Sequence, residues 1–397
     1  MIIMKLTKNS IVVLVSAIVL YACSSNTEKS EFSAKKDGEK TVSDSVITPK
    51  KDSIYIDSFF TDIALTIGGF DNNFAKKRGL VSNYPTLVSN QFNAFTKSKL
   101  NPISYWVKQN TMIPEKYACQ TLFYPLAGAD FVYANAFFDN VKNYILVGLE
   151  KPGYLPNYDQ LNNVALESYR SQIFNSLDVS MKSGFFRTNS MRVQFNQKTV
   201  NGTLHSLLFY LARTGNKIRK IRHFILKDDS SVKYTKGTEG MFSPGLDIEF
   251  LTSDNKVKNL YYYNIDLSDE NQQIEKFFTW VSSFGEHHTM LKAASYLNSR
   301  DYFSKTRKYI LSSSNMIVQD DSGIPYKYFV DGSWDVKLYG GYKKVIPLFS
   351  TRIQPDMVEA YADSTKLTSR YLPFRIGYNV AVGETNLQVV YKLKNDK

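Results

Sequence analysis

Apolar positions along the chain recur with two periods. Between Asp57 and Ile67, residues Phe59, Phe60, Ile63 and Ile67 share one helical face. The same spacing predicts helices over Thr86–Lys108, with an interruption at Pro102, and over Asp159–Ser183. It also predicts one over Asn201–Arg213, where Leu204, Leu207, Leu208 and Leu211 precede a stop at Gly215. Ser268 followed by acidic residues opens a further helix to about Phe284, with Ile274, Phe277, Phe278 and Val281 as its apolar face. Residues 289–298, 302–313 and 355–362 also read as helical. Short β-branched and aromatic runs predict strands at Thr121–Tyr124, Tyr144–Leu149, Ile221–Leu226, Leu246–Leu251 and Leu260–Ile265. Others follow at Met316–Gln319, Tyr326–Val330, Val336–Tyr339, Phe374–Tyr378 and Leu387–Leu393. Early helices, one strand-helix-strand unit and later clustered strands imply α/β or α+β, a mixed sheet with flanking helices.

The N-terminal pattern is of another kind. Lys5 and Lys8 precede an apolar run from Ile11 to Leu20, broken only by Ser16, which leads into Leu20-Tyr21-Ala22-Cys23. A charged start, a short apolar stretch and a small residue before the cut make a signal peptide, since a spanning helix needs about 20 apolar residues. The Leu-x-Ala-Cys ending resembles the lipobox of bacterial lipoproteins. That resemblance implies removal of residues 1–22, lipidation of Cys23 and attachment to a membrane. Ser24 and Ser25 stand where an Asp would mark inner-membrane retention in Gram-negative lipoproteins, so the outer membrane is expected.

Residues 24–52 hold six Lys and six acidic residues with little apolar surface, and read as a disordered tether. Within it, Asp44-Ser45-Val46 and Asp52-Ser53-Ile54 resemble bacterial O-glycosylation sites as much as chance tripeptides. The net charge of +12 falls to +10 once Lys5 and Lys8 leave, all of it on the body from residue 53 to 397. That body is long enough to bury a core as one large domain or two lobes. With 43% hydrophobic residues and two cysteines the chain is neither disordered throughout nor a disulfide scaffold. Cys119 then reads as a small core residue, with no His or Asn pattern beside it to make it a nucleophile.

Four segments carry candidate chemistry. In the first, the strand ending at Tyr124 passes through a small-residue loop to Asp130, a short helix over Phe131–Phe138, and a second strand ending near Glu150. This looks like the opening βαβ of a doubly wound, Rossmann-like fold, with Asp130 facing the ligand crevice. Gly128 stands alone where a dinucleotide turn has three glycines, and Asp130 can equally cap the helix. The second segment is Gln319-Asp320-Asp321-Ser322-Gly323-Ile324-Pro325, whose adjacent acids at a strand end suit a general base or a cation site, or an ordinary turn. The third, Glu286-His287-His288, reads as a solvent-facing helix start without metal-ligand spacing, followed by Lys292 as a buried partner for Asp320 or Asp321. The fourth, Lys217 to His223, is the densest basic run and suits phosphate, acidic polysaccharide or lipid headgroups, or a solvated strand start.

Phe123–Glu150, Lys292–Tyr296 and Gln319–Pro325 resemble segments of exported bacterial proteins that have no assigned activity, so no residue role is carried over. The expected function is an outer-membrane-anchored envelope lipoprotein that binds a glycan, peptide or partner protein. The alternative is a lipid-anchored hydrolase of an envelope polymer with Asp130, Asp320 and Asp321 as catalytic carboxylates, supported by Lys292 or His288. A third reading is a degenerate cofactor-binding fold. No cofactor, metal or nucleic acid is expected.

Overall fold

In β1 (Thr121–Tyr124), Leu122 and Tyr124 pack on one side of the sheet and Phe123 on the other. In β2 (Asn143–Gly148), Tyr144 and Leu146 likewise oppose Ile145 and Val147. Both faces are buried, as in a parallel sheet covered by helices on each side. The computed structural model describes residues 55–186, 193–378 and 383–393. Cys23, the tether and its two Asp-Ser tripeptides lie outside the described residues. Ile54–Lys397 forms one compact unit.

Nine further strands complete the sheet. They are β3 (Lys217–Leu226), β4 (Val232–Thr235), β5 (Gly245–Leu251), β6 (Val257–Asn264), β7 (His287–Leu291), β8 (Ser314–Gln319), β9 (Trp334–Gly340), β10 (Leu367–Ser369) and β11 (Asn386–Lys392). Their order among the described residues is β10-β9-β11-β8-β7-β1-β2-β6-β5-β3-β4. The five central strands, β8-β7-β1-β2-β6, run parallel. Antiparallel pairing surrounds them, through β11 on one side and β5 and β3 on the other. The chain builds outward from β1 through β2 to β6, then returns past β1 to β7 and β8. That is the doubly wound order, and the reversal lies between β1 and β7. The fold is mixed α/β.

The helices Ser58–Ile67, Tyr84–Phe95, Asn101–Gln109, Phe131–Phe137, Asn163–Ser183 and Leu204–Arg213 cover the first face. Ile274–Ser282 and Ser304–Ser313 cover the second, where Phe277 packs 6.3 Å from Phe123. Burying each such ring contributes about 1.5–3 kcal/mol. Capping sets the helix ends: Asp57 accepts from Phe60 N at 3.0 Å and Asn162 from Ala165 N at 2.9 Å. Gly184, at φ +82°, terminates Asn163–Ser183.

Several expectations need correction. Residues 289–298 hold the end of β7 and a loop rather than a helix, because His287 to Leu291 lie wholly buried between β1 and β8. His287 and His288 are therefore interior strand residues and not a solvent-facing helix start. Tyr326–Phe329 is a 3₁₀ turn, Phe374–Tyr378 is irregular, and the helix expected from Ser268 begins at Ile274. The basic run is β3, in which Arg219 pairs with Glu249 at 3.0 Å and Arg222 with Asp247 at 2.6 Å. Two of its charges are thus neutralised within the sheet.

Candidate functional site at the strand ends

The carboxyl ends of β1, β2 and β7 open on a crevice of about 110 Å³. It lies where the strand order reverses, the position at which doubly wound sheets take ligands. Asp130, Glu150, Asp266, Lys292 and Tyr378 are among its polar side chains, with Phe185 and Phe186 among the apolar ones.

Lys292 follows β7 with the strand's alternation. Met290 faces the first core and Leu291 the second, so Lys292 turns to the first face, toward the helix that begins after Asp130. Its Nζ lies 2.8 Å from Asp130 Oδ2, with the two side chains 1% and 6% exposed. It also donates to the Gly184 carbonyl, at the negative end of the helix Asn163–Ser183. Its remaining side faces the Tyr133 ring, 3.9 Å from the centroid. The ammonium thus has three protein partners, Asp130, the Gly184 carbonyl and the Tyr133 ring. Tyr124 adds a 2.8 Å hydrogen bond to Asp130 Oδ2. Burial pushes the Asp130 carboxyl upward and the Lys292 charge pulls it back. Lys292 does have a buried acidic partner, but it is Asp130 rather than Asp320 or Asp321.

The rim is built from residues in an unusual backbone state. Leu126 (φ 61°), Ala293 (51°), Ser295 (54°) and Tyr296 (55°) occupy the left-handed region, and all four belong to the loops after β1 and β7. Each such non-glycine residue costs of order 1–3 kcal/mol unless its surroundings hold it there. The turn after β8 holds the three in the loop after β7. Asp320 Oδ2 accepts from Ala293 N at 2.8 Å, Ser322 Oγ from Ala294 N at 2.7 Å, and Asp321 Oδ2 from the Tyr296 hydroxyl. Tyr378 donates to the Ala293 carbonyl at 2.6 Å and meets Ser295 Oγ at 2.9 Å.

Asp320 and Asp321 are 0% and 1% exposed, do not line the crevice, and act on it through this loop. Asp320 also accepts from Ser322 N at 2.9 Å and from its hydroxyl, and Asp321 Oδ1 from Asn386 at 3.0 Å. Burial, then the neighbouring Asp320 charge, raises Asp321 to about 7. Asp130 and Asp320 are joined through consecutive residues, one holding the Lys292 side chain and the other the Ala293 amide.

Glu150 is buried at the end of β2 and burial raises its carboxyl; its backbone carbonyl accepts the Tyr262 hydroxyl at 2.7 Å. Asp266 is exposed and accepts from Ser268 N at 2.9 Å. His287 and His288 sit at the opposite end of β7 from Lys292, and burial lowers them to about 4 and about 3. Cys119 is half-buried, donates to the Thr121 carbonyl at 3.3 Å, and has its thiol raised by burial. Among the described residues no three His, Cys, Asp or Glu side chains gather to hold a metal ion.

Sequence reasoning placed Asp130 and Glu150 at strand ends but missed Gly184, Tyr133, Asp266 and Tyr378. Gly184 had a usable signal, a glycine directly after a long helix. Tyr133 lies on the predicted helix, three residues after Asp130, but nothing local marks its ring as a partner for Lys292, and Asp266 and Tyr378 arrive from remote segments. The turn after β1 holds only Gly128, and the volume falls below the about 300–1,000 Å³ of sites for larger ligands. Phe131 and Tyr133 do not line the crevice, so it is not plugged by the rings of the following helix. The chain matches no known protein family, no curated protein and no solved structure.

Proposed function

We propose that this chain is an envelope lipoprotein, held at the outer membrane of a Gram-negative bacterium through Cys23, whose body binds the end of a glycan, a peptide or a partner protein at the strand-end crevice. The observation that carries the site is the loop after β7, where Ala293, Ser295 and Tyr296 stand in the left-handed region and are hydrogen-bonded to Asp320, Tyr378 and Asp321. Strain maintained at such expense to the surroundings marks a place where loop geometry matters. The chemistry of the ligand follows from what is free to meet it. Lys292 is occupied by Asp130, the Gly184 carbonyl and the Tyr133 ring, while Glu150 and Asp266 bring carboxylate oxygens. A group rich in donors, such as sugar hydroxyls or an amine, complements that wall.

Hydrolysis is the second reading, favoured by one feature. Glu150 is a buried crevice carboxyl raised by desolvation, the condition of a general acid, and Asp266 offers a solvated carboxylate in the same crevice. Asp320 and Asp321 then serve as positioning residues for the Ala293–Tyr296 loop. The deciding experiment screens the full chain in detergent against envelope glycans and peptides for binding and for turnover. Binding without turnover, weakened in Glu150→Gln and Asp266→Asn, supports the binding module. Turnover abolished in Glu150→Gln with binding retained replaces it with the enzyme. A ligand bound equally well by both variants removes the crevice as the site.

A further inference from the structure

A second concave surface lies apart from the crevice and shares no lining residue with it. It is an open groove of about 570 Å³ between the helix Asn101–Gln109 and the segment that follows β10. Two tyrosines stand in it with their rings in solvent: Tyr105 is 66% exposed and Tyr371 73% exposed. Trp106 sits at its floor, 5% exposed, fixed edge-on against Tyr339 at 4.9 Å and Phe374 at 5.6 Å.

The helix that forms one wall has a regular chemical pattern. Asn101, Tyr105 and Gln109 recur at i, i+4 and i+8, so an amide, an aromatic ring and a second amide lie in one row along the groove; Lys97, one turn before Asn101, is the one charged residue of the lining, and the rest of it is uncharged. The wall begins directly after a π-helical turn, Thr96–Leu100, a distortion found mostly at functional sites. Large aromatics normally lie in a core or an interface, and tyrosine presents an apolar face with a polar tip. Rings of this kind stack on the C–H faces of sugars, while side-chain amides both donate to and accept from sugar hydroxyls. A surface meant for the bilayer interior has no use for that row of amides, which would be desolvated without partners.

We propose that this groove is a carbohydrate-binding site that takes an uncharged glycan chain, with Tyr105 and Tyr371 as stacking platforms and Asn101 and Gln109 as hydroxyl partners. The groove and the crevice stand or fall separately, since neither uses the other's residues. Its open sides suit a chain that passes through, whereas the crevice suits a chain end.

The test uses the full chain in detergent on an array of neutral bacterial and plant polysaccharides. Affinity is then measured on the bound polymers by quenching of tryptophan fluorescence, to which Trp106 contributes at the groove floor. At least one neutral polysaccharide binds, Tyr105→Ala and Tyr371→Ala each weaken it about tenfold, and Tyr105→Phe stays within about twofold. Because both rings are exposed, the melting temperature of each variant remains that of the parent, which separates lost contact from lost fold. An array with no bound polymer overturns the proposal, as does binding that survives in the double alanine variant. Vesicles of phosphatidylethanolamine and phosphatidylglycerol provide the rival outcome, read on the full chain carrying Cys23→Ala so that the proposed lipid anchor does not hold it to the vesicles. If the double variant loses vesicle co-sedimentation while glycan binding is unchanged, the groove is a lipid contact and the proposal fails.

Discussion

Lys292 Nζ sits 2.8 Å from Asp130 Oδ2 with both side chains closed off from solvent, tying the loop after β7 to the loop after β1 across the reversal of the sheet. Neither charge has bulk water to fall back on, so the pair is held by mutual attraction and by Tyr124, Gly184 and Tyr133 around it. Removing one partner leaves the other buried and uncompensated, which costs about 3–5 kcal/mol. Lys292→Met is expected to lose that much in urea unfolding of the full chain. Asp130→Asn combined with Lys292→Met recovers part of the loss. Equal losses in the single and double variants would show that the two groups do not depend on each other.

Gly184 meets two demands at once. Its φ of +82° disfavours any side chain, and a Cβ there would stand 2.9 Å from the Tyr133 hydroxyl. Gly285, at φ +79°, has nothing within 4 Å of its Cβ position and isolates the backbone effect. Gly285→Ala should lose about 1 kcal/mol and Gly184→Ala about 2–3 kcal/mol, since the latter also pushes Tyr133 away from Lys292. Matching melting temperatures for the two variants would refute the close-contact argument.

The same neighbourhood shows what a sequence can and cannot disclose. The β1-helix-β2 unit was legible because its apolar runs are bounded by polar residues and its strands are of ordinary length. Asp130 could be placed at the crevice by the logic of strand ends alone. β7 was not legible: His287, His288 and Thr289 are polar types, and only burial on both faces makes them strand residues. Tyr326–Phe329 has the aromatic composition of a strand but pairs with no strand among the described residues, and it closes as a 3₁₀ turn. Asp320 and Asp321 stood out as adjacent acids. Their partners Ala293, Tyr296 and Asn386 come from distant segments, so the use made of those carboxylates appears only once the sheet is assembled.

Acid sensitivity follows from three buried histidines. Burial lowers His205, His287 and His288 to about 3, 4 and 3, below the about 6.5 of an unfolded histidine. Between those values the unfolded chain binds more protons, so stability is full above about pH 6.5 and declines as pH falls, by up to about 1.4 kcal/mol per pH unit for each group. The buried carboxyls Asp130, Glu150, Asp320 and Asp321, all raised by burial, act in the opposite sense, Asp321 in the clearest window. Its folded value of about 7 lies above the unfolded one, so the native state binds the extra proton and gains stability as pH falls through 7. Urea unfolding from pH 7.5 to 4.5 reads the balance of the two sets, with the histidines contributing a loss of stability as pH falls. Asp321→Asn should steepen it and His288→Leu should flatten it. His288 has neither ring nitrogen hydrogen-bonded and stacks on Phe138 at 5.4 Å, so the leucine variant is expected to keep or slightly raise stability at pH 7. A slope unchanged in both variants would locate the titrating groups elsewhere.

Membrane attachment, in the proposed reading, rests on one sulfur atom. The apolar run from Ile11 to Leu20 is too short to span a bilayer. Without lipid, the charged stretch that follows Cys23 has little apolar surface to hold the chain at a membrane. Each buried acyl methylene contributes about 0.8 kcal/mol, and a single chain binds only marginally, so stable anchoring needs the two or three chains of a lipidated, acylated cysteine. Cys23→Ala is accordingly expected to stop palmitate incorporation and to move the protein from the outer-membrane fraction to the soluble one, or to leave an uncleaved precursor. Ser24→Asp tests the address separately, by shifting a still-lipidated protein to the inner membrane. Palmitate label persisting in Cys23→Ala removes the anchor, and with it the placement of the strand-end crevice beside the envelope polymers it is proposed to meet.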